Sequence, residues 1–340
     1  MTRRELLLAG AAAPAALEAI TPTKQLGLDL FSLRSQGWTA FQLLDFAHAH
    51  GAAVVNFSEP RFLGSTDSDH LKRVREHADS LGVRIEVGFG SICPTSTRFV
   101  KEDGSARDQL LRMFGIARIL GSPFVRCYLG SAEERKGEIP LEQHIDNTIA
   151  ACRSVRDEDG RHGIKIAVEN HAGDLQAQQL RDLVKEAGTD YVGTLLDTGN
   201  ATWTLEDPFH TLEVLAPLAL TTGIRDSRIW IEDGAVSVMW VPMGRGNIGM
   251  ERWAQRFFEL RPDLAFSLEI INLRSARKFA VRDKGFWKHY RDVPAWVFQG
   301  FMELARDGEP YVQAKGDPVE LERREVEADL AYSRELLGLA

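Results

Sequence analysis

Three short apolar runs each deliver a carboxylate at or near their last residue. IKIAVE (164–169) ends on Glu169, YVGTLLD (191–197) ends on Asp197, and AFSLEII (265–271) carries Glu269 close to its end. A single acidic residue in such a place can cap the loop or helix that follows. Three that converge repel and raise one another's pKa unless a cation neutralises them. A hard divalent ion such as Mn²⁺ or Mg²⁺, which takes carboxylate oxygens, is the economical partner. Polar and aromatic side chains follow these ends closely: His171 after Glu169, Asn200 and Trp203 after Asp197, and Arg225 with Asp226 at the end of the run ALTTGIR (219–225). These five are the candidate substrate-binding residues, because an amide binds a hydroxyl, an indole stacks on a ring face and an Arg–Asp pair orients a polar ligand. Each has a plainer role as well: His171 solvated in a loop, Trp203 packing a helix, Arg225 and Asp226 paired structurally.

The elements that carry these residues decide whether they meet. Apolar runs at 26–31, 53–57, 83–89, 123–129, 164–169, 191–197, 219–225 and 265–271 read as strands. Amphipathic stretches such as FQLLDFAHAHGA and RDQLLRMFGIARILGS lie between them, with a Gly before the next strand where a helix C-cap is expected. Eight strand–helix repeats over roughly 250 residues give an α/β fold, a (β/α)8 TIM barrel. In that fold the C-terminal ends of all strands open on one face. The segment SRIWIEDGAVSVMWVPMGRGNIG alternates apolar and polar residues around Asp233-Gly234, predicting a β-hairpin inserted in the loop after strand 7. Its Trp230 and Trp240 either wall the site or pack across the hairpin. Residues 23–275 form the barrel, and 276–340, charged and helix-rich, form a C-terminal helical extension packed on it. Inside the barrel Arg126 needs a carboxylate partner, and Glu86 on the third strand is the expected one.

With AVENHAGD, LLDTGNATW, TTGIRDS, VPMGRGNIG and SLEI in this order, the chain resembles the sugar phosphate isomerase/epimerase superfamily of xylose-isomerase-like TIM barrels across roughly residues 24 to 275. The resemblance implies Glu169, Asp197 and Glu269 as ligands of a divalent ion (Mn, Mg, Co or Zn), with the two glutamates as the acid/base pair. It departs at the seventh strand, where family members usually carry a metal-binding His and this chain has Gly223. Either water or a neighbour such as His171 fills that position, or the metal is weakened or lost; water is the preferred filler. The implied reaction is proton transfer next to a carbonyl of a sugar or keto-sugar through an enediolate, giving isomerisation or epimerisation. The same groups could expel a β-leaving group and cleave a 3-keto glycoside. Loss of the seventh-strand His also leaves open a catalytically silent carbohydrate-binding barrel. A nuclease of the abasic-site type, which needs additional histidines, is not supported with Asn200 and Gly223 where ligands would be wanted.

A net charge of −8 and no run of Lys or Arg argue against a nucleic-acid partner; the small-molecule sugar substrate is what the resemblance implies. No basic cluster is visible around the strand ends, which disfavours a phosphorylated substrate. The three cysteines, Cys93, Cys127 and Cys152, lack metal or disulfide spacing and read as buried apolar residues. Residues 1–22 carry Arg3-Arg4, a short apolar stretch and Ala13-Pro14-Ala15, the plan of a cleaved twin-arginine-type export signal and too short to span a bilayer. A periplasmic or otherwise exported protein is therefore expected, cytoplasmic if the leader is not used, with a homo-oligomer compatible with the sequence. Neither a GxGxxG after the first strand nor a Gly-x-Ser-x-Gly elbow nor HExxH is present, and GRGNIG lacks the Lys and Ser/Thr of a phosphate loop.

Overall fold

The computed structural model describes residues 24–158, 161–271 and 275–339; the proposed leader lies outside them. Eight strands run parallel in chain order: β1 (Leu26–Asp29), β2 (Val54–Phe57), β3 (Arg84–Ser91), β4 (Phe124–Tyr128), β5 (Lys165–Glu169), β6 (Val192–Asp197), β7 (Ala219–Gly223) and, after an insertion, β10 (Phe266–Leu268). The last pairs with β1, and a bridge from Ile224 to Leu268 joins it to β7, closing the barrel. Helices α1 (Ala40–Ala49), α2 (Ser68–Ser80), α3 (Ala106–Leu120), α4 (Leu141–Arg153), α5 (Ala177–Ala187), α6 (Thr198–Thr202) and α7 (Pro208–Leu215) alternate with the strands, and α8 (Met250–Leu260) precedes β10. The helix signals work as the sequence implies. Thr39 and Gln42 form a capping box at the start of α1, Ser105 caps α3, and Gly121 ends α3 in the left-handed conformation.

Burial follows from the parallel plan, in which helices cover the sheet and strands read as continuous apolar runs. Leu28, Val55, Val87, Val125, Val168 and Leu196 join the helix-facing residues in one core. Inside the barrel a small layer of Phe124, Ala167 and Leu195 fills the centre below the strand ends.

The insertion is the expected hairpin, β8 (Asp226–Glu232) and β9 (Ala235–Val241), turning at Asp233 and Gly234, both with positive φ as a two-residue turn requires. A short strand, β11 (Arg277–Phe279), adds to its edge, so the start of the presumed helical extension is in fact part of a three-stranded antiparallel sheet. Helices α9 (Ala295–Arg306) and α10 (Pro318–Leu337) follow. Phe301, Ala305, Val326, Leu330 and Leu337 enter the main core, and Glu322 accepts from the Ser35 backbone amide, so these helices are stitched to the barrel. The cysteines are free and buried, as expected. No helix among the described residues is long and apolar enough to cross a membrane.

Candidate active site

The parallel ladders bring the carboxylates together. Strand β5 ends on Glu169 and β6 on Asp197, and Asn170 stitches the two ends: its amide donates to the Asp197 carbonyl and its oxygen accepts from the Asp197 amide, both at 2.9 Å. Glu269 follows β10, held by its backbone amide donating to Ile224 at 3.0 Å. One oxygen from each of Glu169, Asp197 and Glu269 lies within 4.8 Å of the others, and all three residues are buried. Burial pushes the Glu169 carboxyl well above its usual range against the pull of Arg126. It lifts Asp197 to about 7 against the pull of Arg225. A fourth carboxylate, Asp29 at the end of β1, stands beside them; it accepts from Ser58 Oγ and the Phe31 amide and is raised to about 7 by burial and by Glu269. The run LGLD ends on an acid as β5 and β6 do, so the pattern that singled out the other three applied to Asp29 as well.

Two buried guanidinium groups balance these charges. Arg126 pairs with Glu169 and donates to the Phe89 carbonyl at 3.1 Å. This corrects the expected partnership with Glu86, which instead accepts from Thr221 at 2.7 Å and pairs with Arg84. Register explains it: Tyr128 lies beside Glu169 across the β4–β5 ladder, so Arg126, two residues earlier, reaches upward along the strand to meet that carboxylate. Glu86 sits lower in the barrel.

Arg225 pairs through one Nη with both Asp197 and Glu269. The side chain reaches them because two glycines make room. A Cβ on Gly199 would stand 2.8 Å from Trp240 Nε1 and closer still to Arg225 Cγ and Cδ; a Cβ on Gly223 would stand 2.9 Å from Asp197 Oδ2. Opposite Gly223, an arginine two residues further along the chain lies against the same carboxylates.

The remaining candidates divide. Asn200 is at the site: its amide donates to Glu169 Oε1 at 3.0 Å, and its buried carbonyl oxygen has no partner among the described residues. His171 stacks on Tyr128 with centroids 3.7 Å apart, and its Nδ1–H donates to the Gly130 carbonyl at 2.6 Å. Burial and then Arg126 hold its pKa well below the usual value, leaving a neutral ring with Nε2 as acceptor.

Trp203 is not free to stack on a sugar. Trp240 covers one face with centroids 4.1 Å apart, and the Arg277 guanidinium lies 4.4 Å over the ring, on the other face because the first is taken. Arg225 lies 4.2 Å over Trp240, so guanidinium, indole, indole and guanidinium form one column. Asp226 opens β8 rather than ending β7, and its carboxylate accepts from the amides of Ser227, Gly244 and Gly246. That anchors the turn of Gly244 and Gly246, with both carboxylate oxygens of Asp226 taken by backbone amides. Trp230 packs with Met239 and Val241 on the hairpin.

The family model for the xylose isomerase-like TIM barrel matches residues 44–288. The chain belongs to this family. Solved structures agree on the fold of this xylose isomerase-like barrel. A D-psicose 3-epimerase with D-tagatose from Clostridium cellulolyticum H10 is 13% identical, with 92% of this chain and 99% of that one aligned and a TM-score of 0.63. An L-ribulose 3-epimerase is 16% identical over 93% and 95%, with a TM-score of 0.61. The IOLI protein with a binding zinc atom is 15% identical over 82% and 96%, with a TM-score of 0.55. No curated protein matches the chain significantly.

The donor set of this family member suits a hard divalent ion in type, spacing and burial: three carboxylate oxygens from three strand ends. Gly223 adds no ligand from the seventh strand, and Arg225 already bonds two of the three. The triad is thus of the kind that holds a divalent ion, with an internal cation competing for it.

Proposed function

We propose that this protein is an enzyme that moves a proton next to the carbonyl of a sugar or keto-sugar, with Glu169 and Glu269 as the acid/base pair. The observation that carries the reading is that two glutamates from opposite sides of the barrel mouth, β5 and the end of β10, approach one another in a water-poor site, each with its own guanidinium. One carboxylate takes the proton from the carbon beside the carbonyl, and the C–H electrons pass into an enediolate. The opposite glutamate, as the acid, returns a proton to the other face for epimerisation or to the adjacent carbon for isomerisation. Arg225 supplies positive charge where the enediolate oxygen develops, and the unpartnered oxygen of Asn200 can accept from a substrate hydroxyl. A hard divalent ion held by Glu169, Asp197 and Glu269 would supply stronger stabilisation of the same charge. The epimerase neighbours support the sugar assignment by analogy of fold.

The clasp of Arg225 on Asp197 and Glu269 favours a second reading, a silent binding barrel. One experiment separates them: incubation with ketoses and keto-sugars in D₂O, with and without Mn²⁺, followed by NMR. The enzyme reading expects deuterium beside the carbonyl, lost in Glu169→Gln and Glu269→Gln. Binding without exchange in any condition sinks it. We also propose that residues 1–22 direct export; periplasmic recovery of a fused reporter, abolished by changing Arg3 and Arg4 to Lys, is the expected result.

A further inference from the structure

A cavity of about 460 Å³ opens beside the barrel mouth, between the loops after β2 and β3 and the helix α3. Its size suits a monosaccharide derivative. Its inner wall is Phe89, Arg126 and Tyr128, so it shares Arg126 with Glu169 and reaches the proposed catalytic pair through that one guanidinium. Its outer wall brings Arg61, Arg98 and Arg112 together from three separate segments.

Charge in the cavity is unbalanced. Four arginines face two carboxylates, Glu59 and Asp103, in a chain whose net charge is −8. Glu59 is taken by Arg61. Among the described residues neither Arg98 nor Arg112 makes an ion pair; Arg112 donates only to the Asp103 backbone carbonyl, at 3.1 Å. The absence of a basic run in the sequence hid this, because the arginines are scattered over residues 61 to 126 and only the fold gathers them.

Resting on the proton-transfer reading, we propose that the substrate is an anionic sugar, whose carboxylate or phosphate lies between Arg98 and Arg112 while its carbonyl end extends past Arg126 and Tyr128 toward Glu169. Guanidinium groups recognise both anions by paired N–H donors. The shared chemistry is a polyhydroxy carbonyl compound with a terminal anion.

The test is binding to the full protein of three compounds that differ at one end: D-fructose, D-fructuronate and D-fructose 6-phosphate, measured by calorimetry at two salt concentrations, for wild type and the Arg98→Ala/Arg112→Ala double variant. Both arginines are exposed, so their removal leaves the core untouched, and circular dichroism checks the fold. The expected result is at least about tenfold tighter binding of one anionic compound than of D-fructose, weakening with salt, and a ratio falling toward one in the double variant. The compound that binds tighter identifies carboxylate or phosphate as the anion. Equal affinities for all three, or a preference unchanged in the double variant, overturn the proposal. Its failure is distinguishable from failure of the catalytic reading: anion binding without deuterium exchange leaves the cavity assignment standing, whereas exchange on neutral ketoses with no anion preference removes the cavity assignment alone.

Discussion

Replacing Arg225 by Met should turn a weak divalent-ion site into a strong one while weakening the ion-free fold. The guanidinium makes charge-assisted hydrogen bonds to Asp197 and Glu269 and is 3% exposed. Two such bonds at about 1.5–3 kcal/mol each set a displacement cost of roughly 3–6 kcal/mol for any ion that needs the same oxygens. At 1.4 kcal/mol per factor of ten, that is about 10²- to 10⁴-fold in apparent affinity. The Met side chain fills similar space along Trp240 without a charge. Without an ion, the variant leaves buried carboxylates short of a partner, a loss of about 3–5 kcal/mol that should lower Tm by several degrees. Calorimetric titration with Mn²⁺ gives the affinity, and thermal melts with and without Mn²⁺ give the stability. Tighter Mn²⁺ binding together with a melting loss restored by Mn²⁺ is the expected pair of results. Equal Mn²⁺ affinity in wild type and variant would refute the competition, and with it the claim that the place opposite Gly223 belongs to Arg225.

Gly199→Ala should act on the same clasp from the other side, since its Cβ would collide with Arg225 and come within 2.8 Å of Trp240 Nε1; loss of D₂O exchange with a lowered Tm is expected, and unchanged values would show that the column has slack. Ion binding at pH 7 should release protons, because burial raises Asp197 of the triad and Asp29 beside it to about 7; calorimetry in buffers of different ionisation enthalpy reads the number, on the order of one, and none would contradict the raised carboxylates. Glu206→Gln tests burial elsewhere. Glu206 is lifted from 4.5 to about 7 by desolvation, so the folded state holds its proton more tightly than the unfolded state, and this group's contribution to stability falls as pH rises from about 4.5 to 7. The variant's Tm should therefore gain on wild type across that window, by up to about 3 kcal/mol equivalent, and a constant difference would refute it.

The barrel was legible because its periodicities are strong: each strand lies within a residue or a few of the run that predicts it, and Glu169, Asp197 and Glu269 stand at strand ends that a closed parallel barrel must bring together. Side-chain direction was not legible. Alternation says that Arg126 faces the barrel interior, but not that it rises toward Glu169 instead of lying level with Glu86. Arg225 and Asp226 are neighbours in sequence and point to different structures, one to the triad and one to the turn of Gly244 and Gly246, because the chain leaves the barrel for the hairpin between them. Trp203 occupies the sequence position of a sugar platform, yet Trp240 and Arg277, distant in sequence, take both of its faces. The short strand β11 has only three residues and pairs with the hairpin edge, too little for a periodic signal.

Arg126 joins the two halves of the site, and this gives the anionic cavity a consequence for the chemistry. The guanidinium bonds Glu169 on one side and lines the cavity on the other. An anion held between Arg98 and Arg112 brings its negative charge into the cavity that Arg126 lines, and so opposes the pull of Arg126 on Glu169. As that negative charge offsets the pull of Arg126, the Glu169 carboxylate becomes more basic, since burial already drives its pKa up and Arg126 is the largest opposing influence. The base would then be activated only when a substrate of the right charge is present, and held in a less basic, paired state otherwise. Neutral ketoses bound at the same mouth would leave the pair intact and meet a poorer base. Discrimination against them would accordingly appear in the rate of proton abstraction as well as in binding, because the anion recognised by Arg98 and Arg112 acts on the neighbouring guanidinium that restrains the catalytic glutamate.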